Sequence, residues 1–436
     1  MKQRRIAIFL NCLEPVFFSK TNQVSCFVLV EKNSVLHDFA LKNLPASQII
    51  PFDFTPKAKK KNLSYLQTLL EPDLLRQLKF NHITHFVIPH RLSQEMVLWS
   101  KKHGFKLVGM NLKQQRLENK LYFDNLLKKN NLASPKTLTL AGLEGKNRPK
   151  IWVAQAEESF GFFGTQFFKS GQAWQKFLKN KKPALRLLLR EYLAGPSLGV
   201  SIFLDKRGNY FFSALRRQCF FYQDGLPKRF LGVQWLPKSF FSSKINRKIA
   251  LILSELKNVL LKERFYGLAN FDLLINHGQP LVLECNPRLS SATPQIFSIA
   301  QLTNFANPWQ FYVSTFLSSS KAKIKANILP PSHFNGAIMD VDVAGLSRVK
   351  KVSPLGVYVW QKNKLVFISQ QIKDYHNNSK ALFLFHELRG RDLLKANQTL
   401  CTVFSQQPLF NIGSGTLNDR GLKIYRYLIK QFLGQQ

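Results

Sequence analysis

The chain is short of acid. Its 436 residues carry 25 Asp and Glu against 63 Lys and Arg, a formal charge of +38 with His neutral. Such a surface attracts polyanions, nucleotide phosphates and anionic lipid, and it makes any tight group of carboxylates conspicuous. Compositional drift accounts for the same balance, since Phe (38 copies) is abundant beside Lys and Asn, so charge alone selects no partner. Cysteine is scarce too: Cys12, Cys26, Cys219, Cys285 and Cys401 are scattered and never in a C-x-x-C spacing. That argues against a disulfide framework or a structural zinc site and fits a reducing, cytoplasmic setting. No run reaches the ~18 consecutive apolar residues of a membrane span. The basic start (Lys2, Arg4, Arg5) and the apolar run 6–10 look like a leader peptide. The run is too short for one and reads better as a first buried strand.

Other signatures are missing as well. No G-x-G-x-x-G follows the first apolar run, which argues against a nicotinamide enzyme. His82, His85 and His90 lack the i, i+4 spacing of a helical zinc site and read as packing or surface residues. The chain is read as lacking a nucleophile elbow, so a hydrolase is not expected.

What is present is an α/β chain of several domains. Apolar runs at 6–10, 26–30, 48–50, 85–88 and 106–110 alternate with helix-compatible stretches, predicting a parallel, Rossmann-like α/β domain over 1–110. The basic run 57–61 reads as a solvated loop. A helical period spans 111–131; strands are expected at 151–154, 185–192 and 199–204, and helices at 173–181 and 248–265. Residues 271–285 read as a β-hairpin turning at 276–280. After a linker at 318–323 the chain is strand-rich to about 405, and a helix is expected at 419–433. The domain reading is therefore 1–110, then 111–320 as two lobes (111–189 and 190–320), then a β-rich 321–436 with a terminal helix.

The hairpin carries the chemistry. Asp272 and Glu284 stand on its two strands, and Asn286 follows Glu284 by two residues, so it shares that strand face. Two carboxylates and an amide are hard oxygen ligands for Mg²⁺ or Mn²⁺. Arg288, two residues further on, adds a cation, and metal plus anion-binding cation is equipment for phosphoryl transfer.

The segments G-L-A-N-F-D-L-L-I (267–275) and L-V-L-E-C-N-P-R-L-S (281–290) resemble the metal-binding hairpin of ATP-grasp carboxylate ligases. The resemblance implies an N-terminal α/β domain, a two-lobed ATP-grasp domain and a C-terminal β-rich region. It also implies ATP and Mg²⁺ (or Mn²⁺) as cofactors, and small-molecule carboxylate and amine substrates joined through an acyl phosphate; it implies no particular oligomeric state. By its place in L-E-N-K-L-Y-F, Lys120 would contact the nucleotide phosphates. In R-E-Y-L-A-G-P-S-L-G-V-S-I (190–202), Glu191, Tyr192 and Leu193 would offer backbone contacts to adenine. Gly161, Gly164 and Thr165 would form the phosphate-covering loop, and Arg288 would stabilise the acyl phosphate. Arg216 and Arg217 are candidates for holding an acidic substrate or the triphosphate.

Two positions depart from the family. The strand I-W-V-A-Q (151–155) puts Ala154 or Gln155 where a second phosphate Lys is usual, with Lys150 or Lys169 as conceivable replacements. Ser197 stands where an acid usually holds the ribose. The segment 388–405 also resembles the terminal region of the branch containing tyramine and glutamate ligases of methanofuran-type cofactor synthesis, which implies an amino-acid substrate such as glutamate. The contrasting reading is an ATP-grasp-like fold without catalysis that binds nucleic acid or another polyanion; no nucleic-acid-binding motif accompanies it.

Overall fold

The computed structural model describes residues 4–9, 24–53, 72–89, 91–139, 150–159, 164–180, 186–302, 307–317 and 334–434. The basic run 57–61 and the linker 318–323 lie outside these residues. The first layer is a five-stranded parallel sheet of β1 (Arg4–Phe9), β2 (Val24–Glu31), β3 (Ile49–Phe52), β4 (His85–Val87) and β5 (Lys106–Val108), in the order β3-β2-β1-β4-β5. Its strands read as nearly continuous apolar runs because both faces are covered. Ala7, Phe27 and Phe86 pack under α2 (Pro72–Phe80) and α3 (Gln94–His103) through Leu78 and Trp99. Ile6, Ile8 and Val28 share the opposite core with Phe39 of α1 (Val35–Asn43).

The helix expected over 111–131 is broken. α4 (Leu112–Gln115) starts at an Asn111 capping box, passes into a 3₁₀ turn over Arg116–Glu118, and stops. Asn119 then caps α5 (Lys120–Lys129), accepting the Tyr122 N–H. Asparagine caps better than it propagates, and the break makes Lys120 the first residue of a new helix. The small lobe follows as β6 (Trp152–Ala156), β7 (Thr165–Phe168) and β8 (Leu187–Glu191), ordered β7-β6-β8 and backed by α6 (Gly171–Asn180).

The remaining strands build one eleven-stranded sheet and a two-stranded ladder. In chain order they are β9 (Ser197–Leu204), β10 (Tyr210–Phe212), β11 (Arg216–Gln223), β12 (Leu226–Trp235), β13 (Gly267–Asn276), β14 (Gln279–Asn286) and β15 (Ala337–Asp342). These are followed by β16 (Ser347–Arg348), β17 (Gly356–Gln361), β18 (Lys364–Ser369), β19 (Ala381–Phe385), β20 (Leu393–Leu394) and β21 (Thr399–Ser405). The main order is β14-β13-β9-β11-β12-β15-β21-β19-β17-β18, with β10 on β9, while β16 and β20 form the ladder. α7 (Ser243–Lys262) covers one face of the hairpin end, burying Ile252 and Leu256 against Leu273 and Val282. α8 (Thr293–Leu302) and α9 (Pro308–Phe316) lie on the core that reaches the first layer, as does α10 (Ile372–His376) through Ile372 and Tyr375. α11 (Asp419–Leu433) packs Ile424 and Leu428 under the later strands. Among the described residues no helix is long and apolar enough to cross a membrane.

Apart from the β16–β20 ladder, the strands after residue 321 do not form a sheet of their own. They extend the hairpin's sheet, because β15 pairs with β12 at Gly232↔Met339. Gly232 permits that seam: its φ is +139°, and a Cβ there would lie 1.9 Å from the Ile338 carbonyl oxygen. Gly232→Ala is expected to destabilise the chain by about 1–3 kcal/mol through overpacking, read as a lower urea midpoint with unchanged slope.

Candidate active site

The hairpin turns more tightly than the sequence indicates. His277 and Gly278 (φ 47° and 71°) make a two-residue turn, and Pro280 already lies in β14 opposite Ile275. This register places Asp272 directly opposite Glu284, and Asn270 opposite Asn286. Asp272 is in turn opposite Gly199, and Gly199 opposite Arg216. One row across four strands therefore runs Glu284, Asp272, Gly199, Arg216, all on one sheet face. Gly199 is the gap in that row: a Cβ there would meet Arg216 Nε at 2.8 Å, so only glycine lets the guanidinium lie across the strand toward Asp272.

This face forms the floor of a cavity of ≈ 340 Å³ between the small lobe and the large sheet. Lys120 Nζ lies 3.1 Å from Glu284 Oε2 and donates to the Ser159 carbonyl at 2.8 Å; its side chain is 5 % exposed. Asn286 Nδ2 donates to Glu284 Oε1 at 3.1 Å. Burial raises the Glu284 pKa, but Lys120 and the bonds from Asp272 and Asn286 outweigh it and hold the group below the ordinary value. Asp272 sits well above the usual carboxylate range, through burial first and the Glu284 charge second. Two opposed carboxylates of this kind would be relieved by a cation held between them. With the Asn286 amide they match the hard-oxygen donor set of Mg²⁺ or Mn²⁺. Among the described residues no cluster of three or more His, Cys, Asp or Glu suits a metal.

Asn270 is a hub that sequence reasoning missed. Its Oδ1 accepts from Ser201 Oγ, from Arg216 Nη2 (3.3 Å) and from Ser290 Oγ (3.3 Å), and its Nδ2 donates to the Arg288 carbonyl at 2.6 Å. Three protein donors engage that oxygen, against one long contact of 3.4 Å on Asn286 Oδ1, so Asn286 is the more available metal ligand of the two. The available signal was its position two residues before Asp272, on the same strand face. Arg216 is buried and bonds hydroxyls and an amide, with Nη1 3.2 Å from Ser201 Oγ. Burial lowers its pKa to about 10 despite the Asp272 charge.

Arg217, the next residue, falls on the opposite face. It donates to the Ile412 carbonyl at 2.6 Å and does not line the cavity, so its expected contact with substrate is withdrawn. Gly161 lies outside the described residues. Thr165 lines the cavity, whereas Gly164 (φ +76°) has its carbonyl engaged by the Ala156 N–H at 2.9 Å.

At the hinge, Glu191, Tyr192, Leu193 and Ser197 all line the cavity. The Glu191 amide bonds Lys136 O and the Tyr192 amide bonds Ile151 O. Of the three amides, that of Leu193 alone has no acceptor among the described residues. Phe167 stands edge-on to Tyr192 at 5.4 Å, giving this end an aromatic wall. Val153 and Gln155 face the cavity while Ala154 is core, so Gln155 occupies the place considered for a second lysine. Lys169 does not replace it, since its Nζ donates to the Asp224 carbonyl at 2.9 Å. Residues 195–199 spell G-x-S-x-G after all. Ser197 nevertheless opens a strand, with its hydroxyl on Gln218 Oε1, which is not the strand-to-helix elbow of a hydrolase.

Two buried carboxylates, Asp124 and Glu118, and their three arginine partners also escaped sequence reasoning. Arg190 Nη2 meets Asp124 Oδ1 at 2.7 Å and Nη1 meets the Leu283 carbonyl at 2.9 Å, tying the small lobe, α5 and β14 together. Glu118 takes Arg288 Nε at 2.9 Å and Arg91 Nε at 2.8 Å.

Residues 117–292 match the profile of the ATP-grasp domain. Similar solved structures include the biotin carboxylase domain of 2-oxoglutarate carboxylase from Hydrogenobacter thermophilus, in complex with MgADP, ADP and bicarbonate. It has TM-score 0.60 and 11% identity, covering 93% of this chain and 86% of that one. Biotin carboxylase from Campylobacter jejuni gives 0.60 and 12%, covering 98% and 91%. L-amino acid ligase from Bacillus licheniformis gives 0.59 and 14%, covering 99% and 98%. Nothing among curated protein sequences matches the chain. The fold is that of the ATP-grasp proteins, and residues 117–292 are an ATP-grasp domain.

Proposed function

We propose that this ATP-grasp protein is a ligase that uses ATP to join a carboxylate to an amine. The observation that carries the reading is the opposed Asp272–Glu284 pair, opening on the same cavity as Lys120 and Arg288. The carboxylate would take the γ-phosphoryl group of ATP. The amine would then attack the acyl phosphate, expelling phosphate and giving up a proton, so the products are an amide, ADP and phosphate. No protein nucleophile is needed. Asp272, Glu284 and Asn286 would hold Mg²⁺ or Mn²⁺, which supplies positive charge to the phosphates. Lys120, fixed between Ser159 O and Glu284, presents its charge at the lobe junction. Arg288 would stabilise the oxygens where negative charge develops.

The aromatic hinge and the Leu193 amide would receive the base. Arg216 supports an acidic co-substrate such as an amino dicarboxylic acid, because among the described residues no carboxylate bonds it directly. Arg216→Met is expected to raise the KM for the acid about 10- to 100-fold, the loss of a charge-assisted bond, with the KM for MgATP changed less than about twofold. The reading is tested by following ADP release with MgATP over paired acids and amines. ADP release requiring both substrates supports it. Absence of release for every pair, combined with steeply salt-dependent RNA binding, overturns it in favour of a polyanion-binding protein without turnover.

A further inference from the structure

Glu118 stands behind the cavity with a side chain 2 % exposed, and its two oxygens serve two arginines from different parts of the chain. Oε1 accepts from Arg288 Nε at 2.9 Å; Oε2 accepts from Arg91 Nε at 2.8 Å. Arg91 lies between β4 and α3 of the first layer. Glu118 is in the 3₁₀ turn before α5, and Arg288 follows β14. Arg91 also reaches Glu158 through Nη1 at 3.4 Å, next to Ser159, whose carbonyl receives Lys120.

The manner of the grip matters. A carboxylate that took both terminal nitrogens of Arg288 would occupy the fork that recognises anions. Glu118 instead takes Nε. The terminal nitrogens keep only long contacts of 3.4 Å, Nη1 to Leu289 O and Nη2 to Asn286 Oδ1. Arg288 is thus held by its shank with its fork toward the cavity.

We propose that Glu118 is a positioning residue which orients Arg288 for its anionic substrate and takes its own orientation from Arg91, making the seating of the first layer a condition for turnover. The proposal rests on the reading of Arg288 as the substrate-facing cation. It predicts that Arg91, far along the chain from the hairpin and 29 % exposed, controls the order of Arg288.

The test uses the full chain as wild type, R91A, E118Q and R288K. The Arg288 Nε–H resonance, assigned by its loss in R288K, is expected to be protected from solvent exchange in wild type and to exchange about tenfold faster or more in R91A and E118Q. Unchanged exchange in R91A overturns the relay, and because Arg91 is partly exposed this variant keeps the test decisive even where loss of the buried Glu118 charge costs stability. In ADP release, E118Q is expected to lower kcat about 10- to 100-fold, the effect of a misplaced group, with the KM for MgATP within about twofold. E118Q/R288K should be no slower than R288K. Additive losses would mean that Glu118 acts independently of Arg288 and would overturn the proposal. Arg288 protection that is released in R91A, with no ADP release from wild type, supports the relay and overturns the ligase reading.

Discussion

Glu284→Gln is expected to abolish the Mg²⁺-dependent rise in unfolding temperature that a slowly hydrolysed ATP analogue gives the wild-type chain. At about a hundredfold excess over its dissociation constant, bound nucleotide adds ~2.7 kcal/mol, a rise of about 3 °C for a chain of this size. Glutamine keeps the shape of Glu284 but removes the charge that faces Asp272 and Lys120. Substrate-dependent ADP release should fall about 10³-fold or more, since metal charge stabilisation contributes several kcal/mol to such transfers. Asp272→Asn should lose the same metal dependence with a different signature. Asp272 is destabilised by its burial and by Glu284, so neutralising it should raise the unfolding temperature of the chain without nucleotide. A carboxylate pair retained only for structure would show neither loss. A Glu284→Gln chain that keeps the metal-dependent rise would remove the pair from the site.

The parts legible in the sequence are those where local pattern and tertiary role coincide. The first five strands announce themselves because a parallel sheet covered on both faces needs unbroken apolar runs, and these strands pair in parallel as such runs require. The hairpin is legible because two carboxylates, an amide and an arginine keep a fixed spacing through a short turn. α11 begins and ends where its apolar period does, at Asp419 and Leu433. Arg216 and Arg217 could have been separated in advance, since neighbours on a strand point to opposite faces and only one of the two can share a face with Asp272.

What stays hidden depends on distance along the chain. Glu118 and Arg288 are 170 residues apart, and Arg190 and Asp124 are 66 apart. No local pattern announces such pairs, although a buried arginine without a partner would be costly. The continuity of the sheet from β12 to β15 is hidden for the same reason, being set by Gly232 against Ile338 rather than by any feature near residue 320. The break at Asn119 is a third kind of failure. The apolar period continues across it, and only the capping preference of asparagine marks where α5 begins.

The scarcity of acid gives the remaining carboxylates their weight, and Asp340 is a half-buried one whose pKa is lowered only by a single hydroxyl. It lies on β15 opposite Thr402, whose Oγ1 donates to Asp340 Oδ1 at 2.7 Å. No ion pair to it is found among the described residues. Burial, with Asp342 nearby, pushes its pKa up to about 7 from 3.8. The folded chain therefore holds a proton that the unfolded chain has released between about pH 4 and pH 7. Since the folded state binds more protons in that window, stability falls as pH rises through it and levels off above pH 7. At 1.36 kcal/mol per unit the shift corresponds to at most about 4 kcal/mol. Asp340→Asn reproduces the donor and acceptor pattern of the protonated acid and cannot ionise. It should match wild type near pH 4, exceed it by about 2–4 kcal/mol at pH 8, and flatten the slope between. Urea unfolding at pH 4, 6 and 8 measures all three. Parallel curves for the two chains would mean that Asp340 finds a positive partner or water in solution, and its charge would then cost the fold nothing.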